Sequence, residues 1–153
     1  MKLRHQALPN SDLLTVGYDF AVLNTGAAPA ESFPSSHHSC YYVKPIRNLL
    51  ADLPRIDETM REANRSMVIV GGGAAGIELA FAFRARYGEN AGVSLVSKRC
   101  INQDVALKGG ASLIRKALSM KNIGFLEEIE VTEASDGEVM LSNGSSLKAD
   151  VVC

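Results

Sequence analysis

The chain has no surplus of charge of either sign. Sixteen Lys plus Arg stand against 17 Asp plus Glu, a formal net charge of −1 over 153 residues. A protein built to grip a nucleic-acid backbone needs a basic excess, so no nucleic-acid partner is expected. No apolar run approaches the roughly 20 residues of a membrane-spanning helix. Met1-Lys2-Leu3-Arg4-His5 leads into no long apolar segment, so no secretory leader is expected. Cysteine is scarce: Cys40, Cys100 and Cys153 are widely spaced and form no C-x-x-C. An odd, scattered set fits neither a disulfide framework nor a zinc site, and it suits a reducing, cytoplasmic setting. What remains, 46% hydrophobic and 22% charged residues, is an ordinary globular balance for about one domain.

Local patterns then divide the chain. Phe20-Ala21-Val22-Leu23, bounded by Tyr18-Asp19 and Asn24-Thr25-Gly26, reads as a short buried strand. Residues 30–39, rich in Ser, Pro and His, read as a connector. Pro45 opens a helix whose apolar face carries Ile46, Leu49, Leu50 and Leu53. Met67 to Val70 is a continuous apolar run, the pattern of a strand covered on both faces. A helix follows from about Ala74 to Tyr87, with Ile77, Ala80, Phe81 and Phe83 on its apolar side and Gly88 as its stop. Val93 to Val96 is a second strand, Leu113, Ile114, Ala117 and Leu118 mark another helix, and Ile123 to Leu126 a third strand. This alternation predicts an α/β, Rossmann-like parallel sheet, doubly wound with helices on both faces. The period then changes. Ile129 and Val131 alternate with Glu130 and Thr132, and Asp136-Gly137 and Asn143-Gly144 are hairpin signals. A small antiparallel meander is expected over 128–148. Ala149 to Cys153 begins another buried strand, which suggests part of a longer polypeptide.

The chemistry concentrates at Gly71-Gly72-Gly73-Ala74-Ala75-Gly76. Its G-x-G-x-x-G follows a strand and opens a helix, the context in which the motif is informative. Gly71 permits a tight turn, Gly73 lets a pyrophosphate approach the backbone, and Gly76 lets helix pack close to strand. The helix N-terminus adds unpaired N–H groups and partial positive charge. A methyltransferase-type glycine loop competes, but it usually lacks the third glycine. An acid at the end of the second strand would bind the adenosine ribose of NAD. Here the strand ends Val96-Ser97-Lys98-Arg99. Ser97 can hydrogen-bond without repelling a phosphate, and Lys98 and Arg99 can pair with one, which tilts the choice toward NADP(H). Solvated loop charges are the alternative for Lys98 and Arg99. Spacing alone makes Glu78 a helix-start acid favoured by the dipole.

Together, Met67 to Ala80 resembles the NAD(P)H-binding segment of the pyridine nucleotide-disulfide oxidoreductase superfamily, which includes type II NADH dehydrogenases. Tyr18-Asp19-Phe20-Ala21-Val22-Leu23-Asn24-Thr25-Gly26-Ala27-Ala28-Pro29 is similar to the "YDxLVLATGAxP" that precedes the domain in that family, with Asn24 where Ala is usual. The resemblance covers about residues 15–153. Val43-Lys44-Pro45-Ile46 is similar to the branch fused to selenide, water dikinase. The resemblance implies residues 1–45 as a remnant of a FAD-binding domain with its connector, and 46–153 as the NAD(P)H-binding domain. It implies that a parent enzyme passes a hydride from NAD(P)H to FAD. Gly71, Gly72, Gly73, Ala74, Ala75 and Gly76 would face the pyrophosphate, Ser97, Lys98 and Arg99 the adenosine ribose, Glu78 the nicotinamide end, and Thr25 and Gly26 the FAD. The absent acid after Val96 departs from the NADH-using members. The FAD-type glycine motif and the C-x-x-x-x-C of the family are not in this chain, so alone it is not expected to turn over. The rival reading is a degenerate, non-catalytic dinucleotide-binding module. A third is that the loop takes FAD itself, against which the order of motifs argues.

Other candidates are weaker. His37-His38 with Cys40 nearby has too few converging ligands for a metal. Asp57, Glu58, Arg61, Glu62 and Arg65 read as a solvated helix face. Lys108-Gly109-Gly110 lacks the spacing of a phosphate loop and reads as a helix start. A strand at Phe20 to Leu23 would lack sheet neighbours, so self-association, packing on its own domain or disorder is expected there.

Overall fold

The computed structural model of the chain describes residues 2–3, 14–15, 17–22, 39–103, 108–135 and 137–153. In chain order, β1 (Lys2–Leu3) and β2 (Leu14–Thr15) form a two-residue antiparallel ribbon. Helix α1 spans Ile46–Met60, followed by β3 (Ser66–Val70), α2 (Ala74–Tyr87), β4 (Gly92–Ser97), α3 (Ala111–Met120) and β5 (Gly124–Glu127). The chain closes with β6 (Val131–Ser135), β7 (Gly137–Leu141), β8 (Ser146–Ala149) and β9 (Val151–Val152).

Strands β5, β4, β3 and β9 make a parallel sheet in that order. Side chains alternate across it. Met67, Ile69, Val93, Leu95 and Val151 pack with Leu49, Ile56 and Met60 of α1, Ile77, Ala80 and Phe83 of α2, and Ala111 and Leu118 of α3. Val68, Val96 and Val152 point to the other face and meet Val131, Ala134, Val139, Leu141 and Ala149 of the meander β6–β7–β8. The α/β class and the meander are as the sequence predicts. The helices, however, share one face, and the meander covers the other. The crossovers from β3 to β4 and from β4 to β5 step in one direction, so right-handed connections put both helices on the same side.

Several local readings change. In α1 the buried face is Leu49, Ile56 and Met60, whereas Ile46 and Leu50 are exposed. In α3 Leu113 is exposed as well. Phe20 and Val22, expected in a buried strand, are each 94% exposed and belong to no strand. Among the described residues no strand lies beside this run to bury it; Leu23 lies outside them. Asn143 does not share the positive φ of Gly144. Instead its Oδ1 accepts from the Ser145 N–H at 3.0 Å, and Gly144 N–H donates to Leu141 at 2.9 Å to close the turn.

Charged side chains pin the fold at distant points. Asp57 accepts from Arg86 Nε at 2.7 Å and from the Tyr87 hydroxyl at 2.8 Å, fastening α1 to α2. Asp150 accepts from Arg65 and from the Ser66 N–H, both at 2.7 Å, and fixes β9 beside β3. Thus two members of the charged run, Asp57 and Arg65, are structural ties rather than a solvated face. Arg84 is buried and donates to the carbonyls of Gly88 and Ala91 at 2.6 Å and of Asn122 at 2.7 Å. Residues 39–41 lie beside β9: Tyr41 N–H donates to Val152 O at 2.8 Å, and Val152 N–H to Ser39 O at 2.9 Å.

Candidate functional site

The glycine loop lies where β3 ends and α2 begins, at the carboxyl edge of the parallel sheet. That edge is where open α/β sheets take ligands. Each glycine answers to a separate constraint. Gly71 has φ +117°, a conformation open to glycine alone at little cost, and its N–H donates to Val96 O at 2.8 Å. At Gly76 a Cβ would lie 1.8 Å from Gly71 O and 3.4 Å from Leu95 Cδ1, so helix, loop and β4 are in contact there. At Gly72 a Cβ would lie 2.5 Å from Ser97 Oγ. Gly73 differs: nothing lies within 4 Å of where its Cβ would be. It is the N-cap of α2 and has ordinary extended geometry, with no side chain capping the helix. The first-turn N–H groups of α2 are therefore left to an external acceptor.

The end of β4 faces this loop. Gly71, Gly72 and Gly73 line a cleft of about 240 Å³ together with Ser97, Lys98, Arg99, Cys100, Ile101 and Gln103. The structure thus brings the glycine loop and the 97–99 turn into one cleft. Ser97 is buried, and its hydroxyl donates to Arg99 O at 2.7 Å and accepts from Arg99 N–H at 3.3 Å, so it shapes the turn. Lys98 Nζ is 2.9 Å from Glu130 Oε1. The Arg99 guanidinium has no ion-pair partner among the described residues. Ala74, Ala75 and Glu78 are exposed at the start of α2 and do not line the cleft. Thr25 and Gly26, like His37 and His38, lie outside the described residues.

Behind the cleft sits a group that sequence patterns did not single out. Glu127 ends β5 and accepts from Arg115 Nε at 2.6 Å, from a second Arg115 nitrogen at 2.9 Å and from the Ile101 N–H at 2.7 Å. The Arg115 guanidinium holds the Glu127 carboxyl below its ordinary value, and the Ile101 N–H adds to this against the opposing effect of burial. Arg115 also donates to Cys100 Sγ at 3.3 Å and Asn102 Oδ1 at 3.4 Å. The one available signal was an acid at the carboxyl end of a predicted strand. Cys100, Ile101 and Gln103 follow a strand end with no motif to mark them. None of the three cysteines is joined in a disulfide. Among the described residues no cluster of His, Cys, Asp or Glu could hold a metal, and no helix is long and apolar enough to cross a membrane.

The family model described as pyridine nucleotide-disulphide oxidoreductase matches residues 2–153. No curated protein matches the chain. Solved structures share the fold. A water-forming NADH oxidase from Lactobacillus brevis, bound to NADH, aligns with TM-score 0.62 and 16% identity over 83% of this chain and 28% of its own. A NAD-dependent persulfide reductase from A. fulgidus aligns with TM-score 0.65 and 20% identity over 84% of this chain and 24% of its own. An engineered NADPH oxidase derived from the L. brevis enzyme, bound to NADPH, gives 0.61 and 17% over 83% and 27%. At these identities the likeness is one of fold, and the chain spans about a quarter of the length of each of these proteins.

Proposed function

Since the chain belongs to the pyridine nucleotide-disulphide oxidoreductase family, we propose that it is the NAD(P)H-binding portion of a FAD-dependent oxidoreductase. In this reading residues 46–153 form the dinucleotide-binding domain and residues 1–45 a piece of the flavin domain with its connector. The observation that carries the reading is the contrast among the glycines. Gly72 and Gly76 lack side chains because protein atoms occupy the space, whereas Gly73 has open space beside an uncapped helix start. A backbone kept bare there admits a diphosphate to hydrogen-bonding distance of the helix N–H groups. The cleft is smaller than a pocket for a whole drug-sized ligand, about 300 Å³ or more, and suits the phosphate and adenosine end of the dinucleotide.

The bound dinucleotide supplies the hydride; this chain binds and orients it. Gly71, Gly72, Gly73, Ala74, Ala75 and Gly76 hold the pyrophosphate, and the turn at Ser97, Lys98 and Arg99 receives the adenosine ribose. Glu78, further along α2, belongs to the nicotinamide end, and Thr25 and Gly26 to the flavin side. With no acid at the end of β4, and with Arg99 beside the cleft lacking an ion-pair partner among the described residues, the preferred ligand is NADP(H). The engineered NADPH oxidase parallels this trade: its substitutions remove an aspartate and introduce two arginines and a serine. Self-association through the exposed run around Phe20 belongs to the same proposal, and sedimentation of the purified chain checks it. Calorimetric titration with NADPH and NADH tests the binding. Saturable NADPH binding tighter than NADH is the expected result. No binding of either at millimolar concentration ends the reading, and NADH binding alone ends the assignment of Arg99.

A further inference from the structure

The wall of the cleft opposite the glycine loop, residues 98–103, is a loop between β4 and α3. Three fastenings hold it. Ser97 Oγ bridges to the Arg99 backbone, Lys98 is paired with Glu130, and the Ile101 N–H points into Glu127. The third is the most elaborate. The Glu127 carboxylate is gripped through both oxygens by one guanidinium, the geometry with the greatest directional hold. The same guanidinium reaches Cys100 and Asn102. One glutamate and one arginine therefore touch three successive residues of the wall, and Ile101 is also plugged into the core at 2% exposure. Neither Arg115 nor Glu127 lines the cleft.

We infer that Arg115 and Glu127 are positioning residues that set which nicotinamide dinucleotide the cleft accepts, by fixing the wall that carries Arg99. The inference rests on the dinucleotide reading above. Lys98 is drawn toward Glu130 in an exposed pair, and Arg99 is the wall cation with no ion-pair partner among the described residues, placed to meet a 2′-phosphate. Its contribution depends on where the wall holds it, because charge interactions and bidentate contacts fall off with small displacements. NADH offers no phosphate at that place. Loosening the wall therefore weakens NADPH and leaves NADH almost untouched. A general loosening of the fold would weaken both alike.

The test titrates the full chain and its Glu127→Ala, Glu127→Gln and Arg99→Ala variants with NADPH and NADH, with circular dichroism checking that each folds. Glu127→Ala should weaken NADPH binding about tenfold and NADH less than about twofold, and the double variant with Arg99→Ala should bind NADPH no worse than Arg99→Ala alone. Glu127→Gln keeps an acceptor for Ile101 and should fall between wild type and alanine. It stands in for the alanine variant should that fail to fold. Hydrogen exchange gives a readout without ligand: the Ile101 amide should exchange at least about tenfold faster in Glu127→Ala, with the β3 amides unchanged. Unchanged exchange at Ile101, or equal loss of both nucleotides, overturns the inference while the site reading stands. A wild-type chain that binds neither nucleotide overturns the site reading and the inference with it.

Discussion

The carbonyl oxygen of Gly71 lies 1.8 Å from the place where a Cβ on residue 76 would sit, so loop and helix are in backbone contact. Gly76→Ala cannot be absorbed by moving a flexible side chain, because the obstacle is main chain. Residues 71–73 or the start of α2 must shift, at a cost of about 1–3 kcal/mol typical of overpacking. Urea denaturation should show that loss, and NADPH affinity should fall with it.

Gly73→Ala should separate stability from binding. The residue has φ −74° and open space around it, so the denaturation free energy should fall by no more than about 1 kcal/mol, the loss of a glycine N-cap. Calorimetry should nevertheless show NADPH binding weakened by about tenfold or more, because the methyl group occupies the approach to the backbone. Unchanged affinity would remove the main support for the proposed site.

Three of these elements could be read from the sequence because their constraints are local. The glycine loop, α2 with its Gly88 stop, and the β-branched run of β3 each reveal themselves within a few residues. What stayed hidden depends on partners far along the chain. Asp150 meets Arg65 across 85 residues, and Asp57 meets Arg86 across 29. No periodicity links them, so a charged run that holds two structural ties looked like a wet face. Leu113 and Leu50 fit an apolar helix stripe, but the stripe is wider than the surface available to cover it. Phe20 to Val22 has the composition of a strand and joins no sheet among the described residues. At the site, the Ser97–Arg99 turn was legible, whereas its backing by Arg115 and Glu127 required knowing that β5 lies beside β4.

Arg84→Met should be strongly destabilising. The guanidinium satisfies carbonyls from three segments, the end of α2, the approach to β4 and the α3–β5 turn. Burial draws its pKa down from the ordinary value, with Glu89 opposing the shift. Leaving one buried and two half-buried acceptors unmet should cost about 3 kcal/mol in all, read by chemical denaturation. Methionine fills the volume, so the loss reports the hydrogen bonds.

Acid should unfold the protein early. Asp57 is held low chiefly by Arg86, and Glu127 chiefly by Arg115. Burial pushes Asp150 up, but Arg65 and the Ser66 N–H outweigh it and leave it low. A carboxylate with a lowered folded pKa stabilises the protein above its unfolded value, and that stability is lost as pH falls through the folded one. Denaturation free energy should therefore be flat near pH 6 and fall below about pH 4. Asp150→Asn should flatten the decline.

Burial raises the Cys153 thiol to about 12, so it stays protonated at pH 8. Alkylation of the folded chain followed by peptide mass mapping should leave Cys153 unlabelled until denaturant is added. Rapid labelling of Cys153 in the native chain would show that the backbone just past β9 opens.

Residues 39–41 and β9 lie side by side, within a single hydrogen bond of each other. The two stretches are therefore held one strand spacing apart, about 4.8 Å. Tyr41 and Val152 thus act as a clasp between two stretches of backbone far apart in the sequence.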